Sequence, residues 1–182
     1  MTVDRRIVTI FGSGDARPGE EVYDLALDLG RRLAQAGLTI ANGGYGGTML
    51  AAAHGAAEAG GRVIGVTCSA FKRGGANPFV TEEIVTADLD ERLRTLVSLG
   101  RAYIVLPGGT GTLLELAKVW ELKNKGFMDP ARPIVLVGRF WEPLVALMAQ
   151  QDAECTRWIV QATDAREAVG HVTRSVTRAS GE

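Results

Sequence analysis

The sequence predicts an α/β fold in which a mostly parallel sheet carries helices on both faces. Short apolar segments alternate along the chain with segments whose apolar residues recur at helical spacing. The apolar segments are continuous, as in parallel strands that are buried on both sides. Glycine clusters separate several of these strands from the helix that follows. This combination is typical of a doubly wound, Rossmann-like architecture.

The predicted elements follow one another in the order strand, turn, helix. Residues 7–11 form the first strand, and residues 20–36 form a helix with Val22, Leu25 and Leu29 at helical spacing. Residues 68–78 have no periodicity and are predicted to be a loop. The other strands are predicted at 38–41, 62–67, 83–86, 101–106, 134–137 and 159–161, and the other helices at 49–59, 89–99, from the turn at 107–112 to about 124, after 141–143, and at 164–175.

Length and composition favour a single domain, residues 1–182, because 182 residues enclose one core but are short for two. The net charge of −1 gives no broad attraction to nucleic acid. Cys68 and Cys155 lie far apart, and no Cys/His cluster has metal-ligand spacing, so no metal site is expected. Residues 1–6 lead into the first strand without the apolar core of a signal peptide, and no segment approaches membrane-spanning length. We therefore expect a cytoplasmic protein.

Three glycine-containing loops follow predicted strands and are candidate binding loops. In open parallel sheets, ligands bind beyond the carboxyl ends of the strands. The first loop contains Gly12, Ser13 and Gly14, the second spans residues 42–48, and the third spans residues 107–112. None of them ends in the Gly-Lys-Ser/Thr of a P-loop. The first loop has Arg17 where the dinucleotide fingerprint has its third glycine, which disfavours NAD.

The third loop, Pro-Gly-Gly-Thr-Gly-Thr, has the composition of a phosphate-binding turn. Backbone N–H groups in such a turn converge on an anion at the positive end of the helix dipole. The alternative is a turn whose glycines only permit close packing, and the loop alone favours neither reading. The second loop favours a ligand, because two such loops at one sheet edge can hold different parts of one nucleotide. The candidate substrate-binding residues are Gly12, Ser13, Gly43, Gly44, Gly46, Gly47, Thr48, Met49, Gly108, Gly109, Thr110, Gly111 and Thr112.

Glu115 and Arg92 are the candidate catalytic side chains, and each has a structural alternative. Glu115 lies one turn into the helix that begins at the third loop, near any bound ligand. The spacing Thr112-x-x-Glu115 also matches a capping box, which taken alone is the favoured reading. Arg92 lies near the start of a helix, and its alternative is a solvated face or a local pair with Asp88.

Taken together, these motifs resemble the LONELY GUY family of cytokinin-activating phosphoribohydrolases, much of which was long labelled possible lysine decarboxylase. The resemblance rests on the second loop through Met49, on the pair Glu91-Arg92, and on the PGGxGTxxE signature that ends at Glu115. It extends over residues 7–172, nearly the whole chain. It implies hydrolysis of the N-glycosidic bond of a purine nucleoside 5′-monophosphate, which yields free base and ribose 5-phosphate without a metal or organic cofactor.

The resemblance also implies residue roles. Glu115 would stabilise the positive charge that develops on ribose, bind its hydroxyls or orient the attacking water. Arg92 would contact the phosphate or assist departure of the base, while Gly109, Gly111 and Thr112 would hold the 5′-phosphate. A homodimer is implied as well, and the candidate contact residues are Trp120, Phe127 and Met128, although burial in the core is the favoured reading for Trp120.

The chain departs from the family pattern at several positions, which leaves the identity of the base open. The family has Arg-Lys where this chain has Arg92-Leu93, so one positive charge near the site is missing. Asn42 replaces the first glycine of the second loop, Thr67-Cys68 replaces a common proline, and Thr110 stands where many members have tyrosine.

Three other functions are considered. A non-catalytic nucleotide or molybdenum-cofactor carrier of the same fold is the main alternative. DNA binding, known for another relative with glycine loops, is disfavoured by the slightly acidic charge balance. Pyridoxal-phosphate decarboxylation is disfavoured because no lysine stands in a Ser-x-His-Lys setting; the lysines considered are Lys72, Lys118, Lys123 and Lys125.

Overall fold

The computed structural model describes residues 6–178, and the two ends of the predicted domain, residues 1–5 and 179–182, lie outside the described residues. Seven strands form one sheet in the order β4-β3-β2-β1-β5-β6-β7. Their bounds are β1 (Ile7–Phe11), β2 (Thr39–Asn42), β3 (Val63–Cys68), β4 (Glu82–Thr86), β5 (Ala102–Val105), β6 (Ile134–Val137) and β7 (Ile159–Ala162). The helices are α1 (Glu21–Gln35), α2 (Thr48–Glu58), α3 (Leu89–Leu99), α4 (Thr110–Asn124), α5 (Glu142–Ala149) and α6 (Ala165–Arg178).

The sheet confirms the predicted α/β class, and all six of its strand pairs are parallel. Every residue of β1, β2, β3, β5 and β6 is buried, which explains their continuous apolar sequences. One core cluster packs beneath α1, α2 and α6, with Leu29 and Val172 among its members. The other packs beneath α3 and α4, with Leu96 and Leu116 among its members.

The strand order reverses next to β1. The chain passes from β1 to β2 on one side, and β5 pairs with β1 on the other side. At such a switch point the loops that leave neighbouring strands diverge and open a crevice. Phe11 is in register with Val105, so β1 and β5 end at the same level. The three predicted glycine loops therefore meet at one edge of the sheet.

The predicted boundaries differ from those in the structure by at most three residues, the largest difference being at the end of α6, and two short 3-10 segments were not predicted. The bounds of β1, α3 and β6 agree with prediction. Ser69–Phe71 forms a 3-10 turn inside the predicted loop, and Ala153–Trp158 forms another before β7. Single turns of this kind are too short to produce a periodic signal. Within residues 6–178, no helix has both the length and the apolar character needed to cross a bilayer.

Candidate active site

A cavity of about 490 Å³ lies beyond the carboxyl ends of β1, β2 and β5. Its size is within the range of small-molecule sites. Both candidate catalytic residues line it, together with eight of the candidate substrate-binding residues. These ten residues are Gly12, Ser13, Gly43, Met49, Arg92, Gly109, Thr110, Gly111, Thr112 and Glu115.

The N-terminus of α4 forms one end of this cavity. Helix α4 begins at Thr110, and its first N–H groups have no intrahelical acceptor because each would need a carbonyl four residues earlier in the helix. A Cβ added at Gly109 or at Gly111 would meet no atom within 4 Å, and neither glycine has a positive φ. Close packing therefore does not explain these two glycines. They leave open space beside N–H groups that can bind an anion.

Gly108 has a different role from its neighbours, since packing requires it. A Cβ at Gly108 would lie 2.2 Å from Thr112 Oγ1 and 3.1 Å from the backbone nitrogen of Ser13. That nitrogen donates a hydrogen bond to the carbonyl of Pro107, at 3.3 Å. Gly108 does not line the cavity, and it lets the first and third loops approach each other.

The second loop also supports the site more than it lines it, because Gly44, Gly46, Gly47 and Thr48 are not among the lining residues. Gly44 and Gly47 have φ values of 75° and 64°, in the left-handed region that favours glycine. Thr48 N and Oγ1 both donate to the carbonyl of Ser13, at 2.8 and 3.0 Å. These residues fix the N-terminus of α2 against the first loop.

Asn42, which departs from the family pattern, closes the second loop from within. Its Oδ1 accepts from the backbone N–H of Gly44 at 2.9 Å, and its Nδ2 donates to the carbonyl of Met49 at 3.1 Å. The asparagine side chain thus connects both ends of the loop, a task that a glycine at this position cannot perform.

Arg92 is buried with 8% of its surface exposed, so the alternative reading of a solvated helix face is wrong. Its Nε donates to the carbonyl of Val66 at 2.9 Å, and its Nη2 donates to the carbonyl of Gly43 at 3.3 Å. A Cβ at Gly43 would lie 1.9 Å from that Nη2, so only glycine admits the guanidinium here. Asp88 instead caps α3 by accepting from the backbone N–H of Glu91.

Glu115 faces Arg92 across the cavity floor. Its Oε1 lies 3.8 Å from Arg92 Nη1, and only 14% of the glutamate side chain is exposed. Burial raises the pKa of Glu115 to about 7 despite the opposing effect of the Arg92 charge. The capping-box reading is wrong, because the N-cap of α4 is Gly109 and no side chain caps it. Thr112 and Glu115 therefore lie inside the helix, in its first and second turns.

The sequence did not identify the aromatic and cationic end of the cavity. Tyr45, Phe71 and Arg73 line this end. Asp15, directly after the first loop, is a further lining residue of the cavity. The Arg92 guanidinium carbon lies 5.6 Å from the ring centroid of Tyr45 and 5.5 Å from that of Phe71. Phe71 and Arg73 belong to the aperiodic segment after β3. That segment follows the carboxyl end of β3, the strand beside β2. This position is the feature of the sequence from which a place in the cavity could have been predicted.

Two of the residues suggested as dimer contacts are core residues instead. Trp120 and Met128 are 5% and 8% exposed, and Trp120 Nε1 donates to the carbonyl of Cys155 at 2.9 Å. Phe127, by contrast, is 79% exposed. The favoured core reading of Trp120 is confirmed, while Met128 is unavailable for contact with another subunit.

Comparison with known proteins identifies relatives over most of the chain. Residues 49–172 match a family model described as possible lysine decarboxylase. The cytokinin riboside 5′-monophosphate phosphoribohydrolase of Rhodococcoides fascians is 31% identical over 164 residues, which cover 87% of this chain and 81% of that protein. The enzyme of the same name, LOG, from Oryza sativa subsp. japonica is 30% identical, with 91% of this chain and 71% of the relative covered.

Solved structures share the fold. The molybdenum cofactor carrier protein MCP from Chlamydomonas reinhardtii superimposes with a TM-score of 0.77 at 27% identity, covering 94% of this chain and 98% of that one. The molybdenum cofactor binding protein from Rippkaea orientalis has a TM-score of 0.76 at 23% identity, covering 92% and 95% of the two chains, which shows the fold alone. The family model and the curated relatives together show that this chain belongs to the LONELY GUY family, the family described as possible lysine decarboxylase.

Proposed function

We propose that this protein hydrolyses the N-glycosidic bond of a purine nucleoside 5′-monophosphate and releases free base and ribose 5-phosphate. The observation that carries the proposal is the buried pair of Arg92 and Glu115, 3.8 Å apart, beside the N-terminus of α4. Curated relatives named as cytokinin riboside 5′-monophosphate phosphoribohydrolases support the same reaction.

The 5′-phosphate binds at the start of α4. Gly109 and Gly111 let it approach the helix N–H groups closely, and the helix dipole favours its negative charge. The hydroxyl of Thr112 is a further donor on the same side of the cavity. Because the phosphate is remote from the reacting bond, its binding energy positions the ribose without stabilising the bond that must break.

Glu115 acts at the ribose. As the bond from C1′ to the base nitrogen breaks, its electron pair leaves with the base and positive charge develops on the sugar ring. An ionised carboxylate in a buried site stabilises that charge more strongly than it stabilises the neutral ground state. A water oxygen then bonds to C1′ and keeps one hydrogen as the new sugar hydroxyl, while the other proton of the water goes to the nitrogen of the departing base. Glu115 can also bind ribose hydroxyls or orient this water.

Arg92 positions and balances this carboxylate. Two of its donors are occupied by the carbonyls of Val66 and Gly43, which hold the guanidinium in one orientation. The Nη1 group then faces Glu115 and the cavity, where it can contact the phosphate or the departing base. No lysine is among the residues that line the cavity in the described part of the chain, so the site offers no Schiff-base nucleophile for a decarboxylase.

A carrier of nucleotide or molybdenum cofactor is the second candidate. It is favoured by the structural likeness to the molybdenum cofactor carrier MCP, with a TM-score of 0.77. A carrier needs the anion site at α4 but has no use for a carboxylate buried beside it, where it repels a bound phosphate. The buried Glu115 carboxylate therefore favours the hydrolase over the carrier.

Other features support a single domain, a homodimer and a cytoplasmic location. All seven strands share one sheet, which supports a single domain. A homodimer is supported by exposed apolar side chains at the surface near the site: Leu113 and Leu114 directly precede Glu115, and Leu89 begins α3. Cys68 and Cys155 are free and buried, which accords with a reducing, cytoplasmic environment.

The direct test is product release from nucleoside 5′-monophosphates. Purified protein is incubated with AMP, GMP, IMP and N6-isopentenyladenosine 5′-monophosphate, and free base and ribose 5-phosphate are quantified by chromatography. We expect equimolar base and sugar phosphate from at least one nucleotide, and a loss of more than about 100-fold in kcat for Glu115→Ala. Binding of nucleotides without release of any base supports the carrier instead.

A further inference from the structure

Asp15 is a second carboxylate on the wall of the cavity, and the reaction proposed above gives it no role. It directly follows the first loop and lines the cavity together with Glu115. Glu115 faces Arg92 at 3.8 Å, whereas the exposed Asp15 side chain makes no hydrogen bond or ion pair within residues 6–178. Its two carboxylate oxygens are therefore available to a bound molecule.

The backbone of Asp15 is nevertheless held on both sides. The Asp15 N–H donates to Ser13 Oγ at 3.2 Å, and Ser13 N donates to the carbonyl of Pro107. The carbonyl of Ser13 accepts from Thr48 N and Oγ1. On the other side, Ala16 is 8% exposed and belongs to the core cluster beneath α1 and α2. Because the backbone is already ordered, a ligand that binds the Asp15 carboxylate loses little binding free energy to ordering this segment.

The position of Asp15 in the sheet corresponds to the middle of a bound nucleotide. Strand β1 lies between β2 and β5, so Asp15 lies between the second loop and the start of α4. The start of α4 is the proposed phosphate site, and the rings of Tyr45 and Phe71 follow β2 and β3 on the other side. Ribose connects phosphate to base, so it is the part of the nucleotide nearest to the end of β1. A carboxylate there repels phosphate but accepts hydrogen bonds from sugar hydroxyls.

We propose that Asp15 binds the 2′- and 3′-hydroxyls of ribose and makes the site selective for ribonucleotides over nucleotides that lack these hydroxyls. This inference rests on the hydrolase function proposed above and adds a residue that determines its substrate class. The two hydroxyls are neighbouring donors, and the two oxygens of one carboxylate can accept from both. An acidic residue also holds a ribose hydroxyl in dinucleotide-binding sheets. With Asp15 on the hydroxyls, the Glu115 carboxylate is left to face C1′.

The test compares kcat/KM for a ribonucleotide and for its 2′,3′-dideoxy analogue in the wild type and in variants of Asp15. The ribonucleotide is whichever of AMP, GMP and IMP the wild type hydrolyses fastest. In Asp15→Ala its kcat/KM is expected to fall about tenfold or more, while that of the dideoxy analogue changes less than about twofold. Asp15→Asn keeps one acceptor oxygen and is expected to lie between the wild type and Asp15→Ala. The 2′-deoxy and 3′-deoxy analogues, which keep one hydroxyl each, are expected to show intermediate losses.

The quantity compared is the ratio of wild type to variant for each nucleotide, because loss of a hydroxyl also changes the reactivity of the glycosidic bond itself. Asp24→Ala is the matched control, since Asp24 is an exposed carboxylate in the first turn of α1 that does not line the cavity. It is expected to leave every kcat/KM value unchanged. An equal loss for the ribonucleotide and the dideoxy analogue in Asp15→Ala overturns the inference, because Asp15 then acts on the charge of the ring and not on its hydroxyls. An unchanged value for the ribonucleotide overturns it as well.

Binding to Glu115→Gln separates this inference from the proposed reaction. If the wild type hydrolyses no nucleotide, the hydrolase function fails, but calorimetric titration of Glu115→Gln with AMP, GMP, IMP and their dideoxy analogues still measures the preference for ribose. Tighter binding of a ribonucleotide than of its dideoxy analogue by about tenfold, lost when Asp15→Ala is added, supports the role of Asp15. Equal affinities, or no binding of any nucleotide, contradict it.

Discussion

Replacing Glu115 by glutamine is expected to stabilise the protein at alkaline pH while abolishing hydrolysis. Glutamine is close in size to a protonated glutamic acid but cannot ionise. Burial raises the pKa of Glu115 from 4.5 to about 7, so the folded protein binds this proton more tightly than the unfolded chain does. The free energy of unfolding therefore falls as pH rises from 4.5 to about 7 and is constant above that range.

The magnitude follows from the size of this pKa change. Each pKa unit corresponds to about 1.4 kcal/mol, so the ionised carboxylate lowers the free energy of unfolding by about 3 kcal/mol above pH 7. For a domain of this size, Glu115→Gln is expected to raise Tm by about 6–12 °C at pH 8. At pH 4 the two proteins are expected to melt at nearly the same temperature, because Glu115 is then protonated in both the folded and the unfolded states.

The assay is thermal unfolding of wild type and Glu115→Gln by calorimetry from pH 4 to pH 8. Glu121→Gln is the control, because Glu121 lies on the same helix, its side chain is 58% exposed, and its partner Lys125 is a surface residue 3.6 Å away. Its free energy of unfolding is expected to change by less than about 0.5 kcal/mol at every pH. A Glu115→Gln variant that is no more stable than wild type at pH 8 refutes the reasoning that burial penalises this carboxylate.

Three further predictions concern the same site. First, kcat/KM is expected to rise about tenfold per pH unit below pH 7 and to level above it, because the ionised form of Glu115 is the active one; a flat profile from pH 5 to pH 8 contradicts this role. Second, Gly109→Ala is expected to weaken nucleotide binding about tenfold or more by calorimetric titration, with the free energy of unfolding unchanged within about 0.5 kcal/mol, since the added Cβ meets no protein atom. Gly108→Ala, its packing-limited neighbour, is expected to lose about 1–3 kcal/mol of stability in denaturant unfolding, and equal behaviour of the two variants argues against their separate roles. Third, Gly43→Ala is expected to displace Arg92, lowering kcat/KM about 100-fold and stability by about 1–3 kcal/mol; a crystal structure with Arg92 in place and activity retained excludes this coupling.

The positions of the three glycine loops were predictable because their signal is local. A strand, a glycine turn and a helix each leave a pattern within a few consecutive residues, and parallel strands bring their carboxyl ends to one edge. The roles of individual glycines were not predictable from this pattern. Gly108 and Gly109 are adjacent in sequence, yet only Gly108 has Thr112 and Ser13 packed against it. Whether a glycine serves packing or a ligand depends on atoms contributed by other loops.

The sequence by itself determined the order of elements, the α/β class and the edge of the sheet where the cavity lies, because these follow from hydrophobic periodicity and chain direction. Only the tertiary structure decided the chemistry of Arg92 and Glu115. Arg92 receives its acceptors from Val66 and Gly43, on different elements, and burial rather than local capping gives Glu115 a pKa of about 7. Desolvation and the orientation of a charge depend on everything packed around it, and those neighbours are distant in sequence.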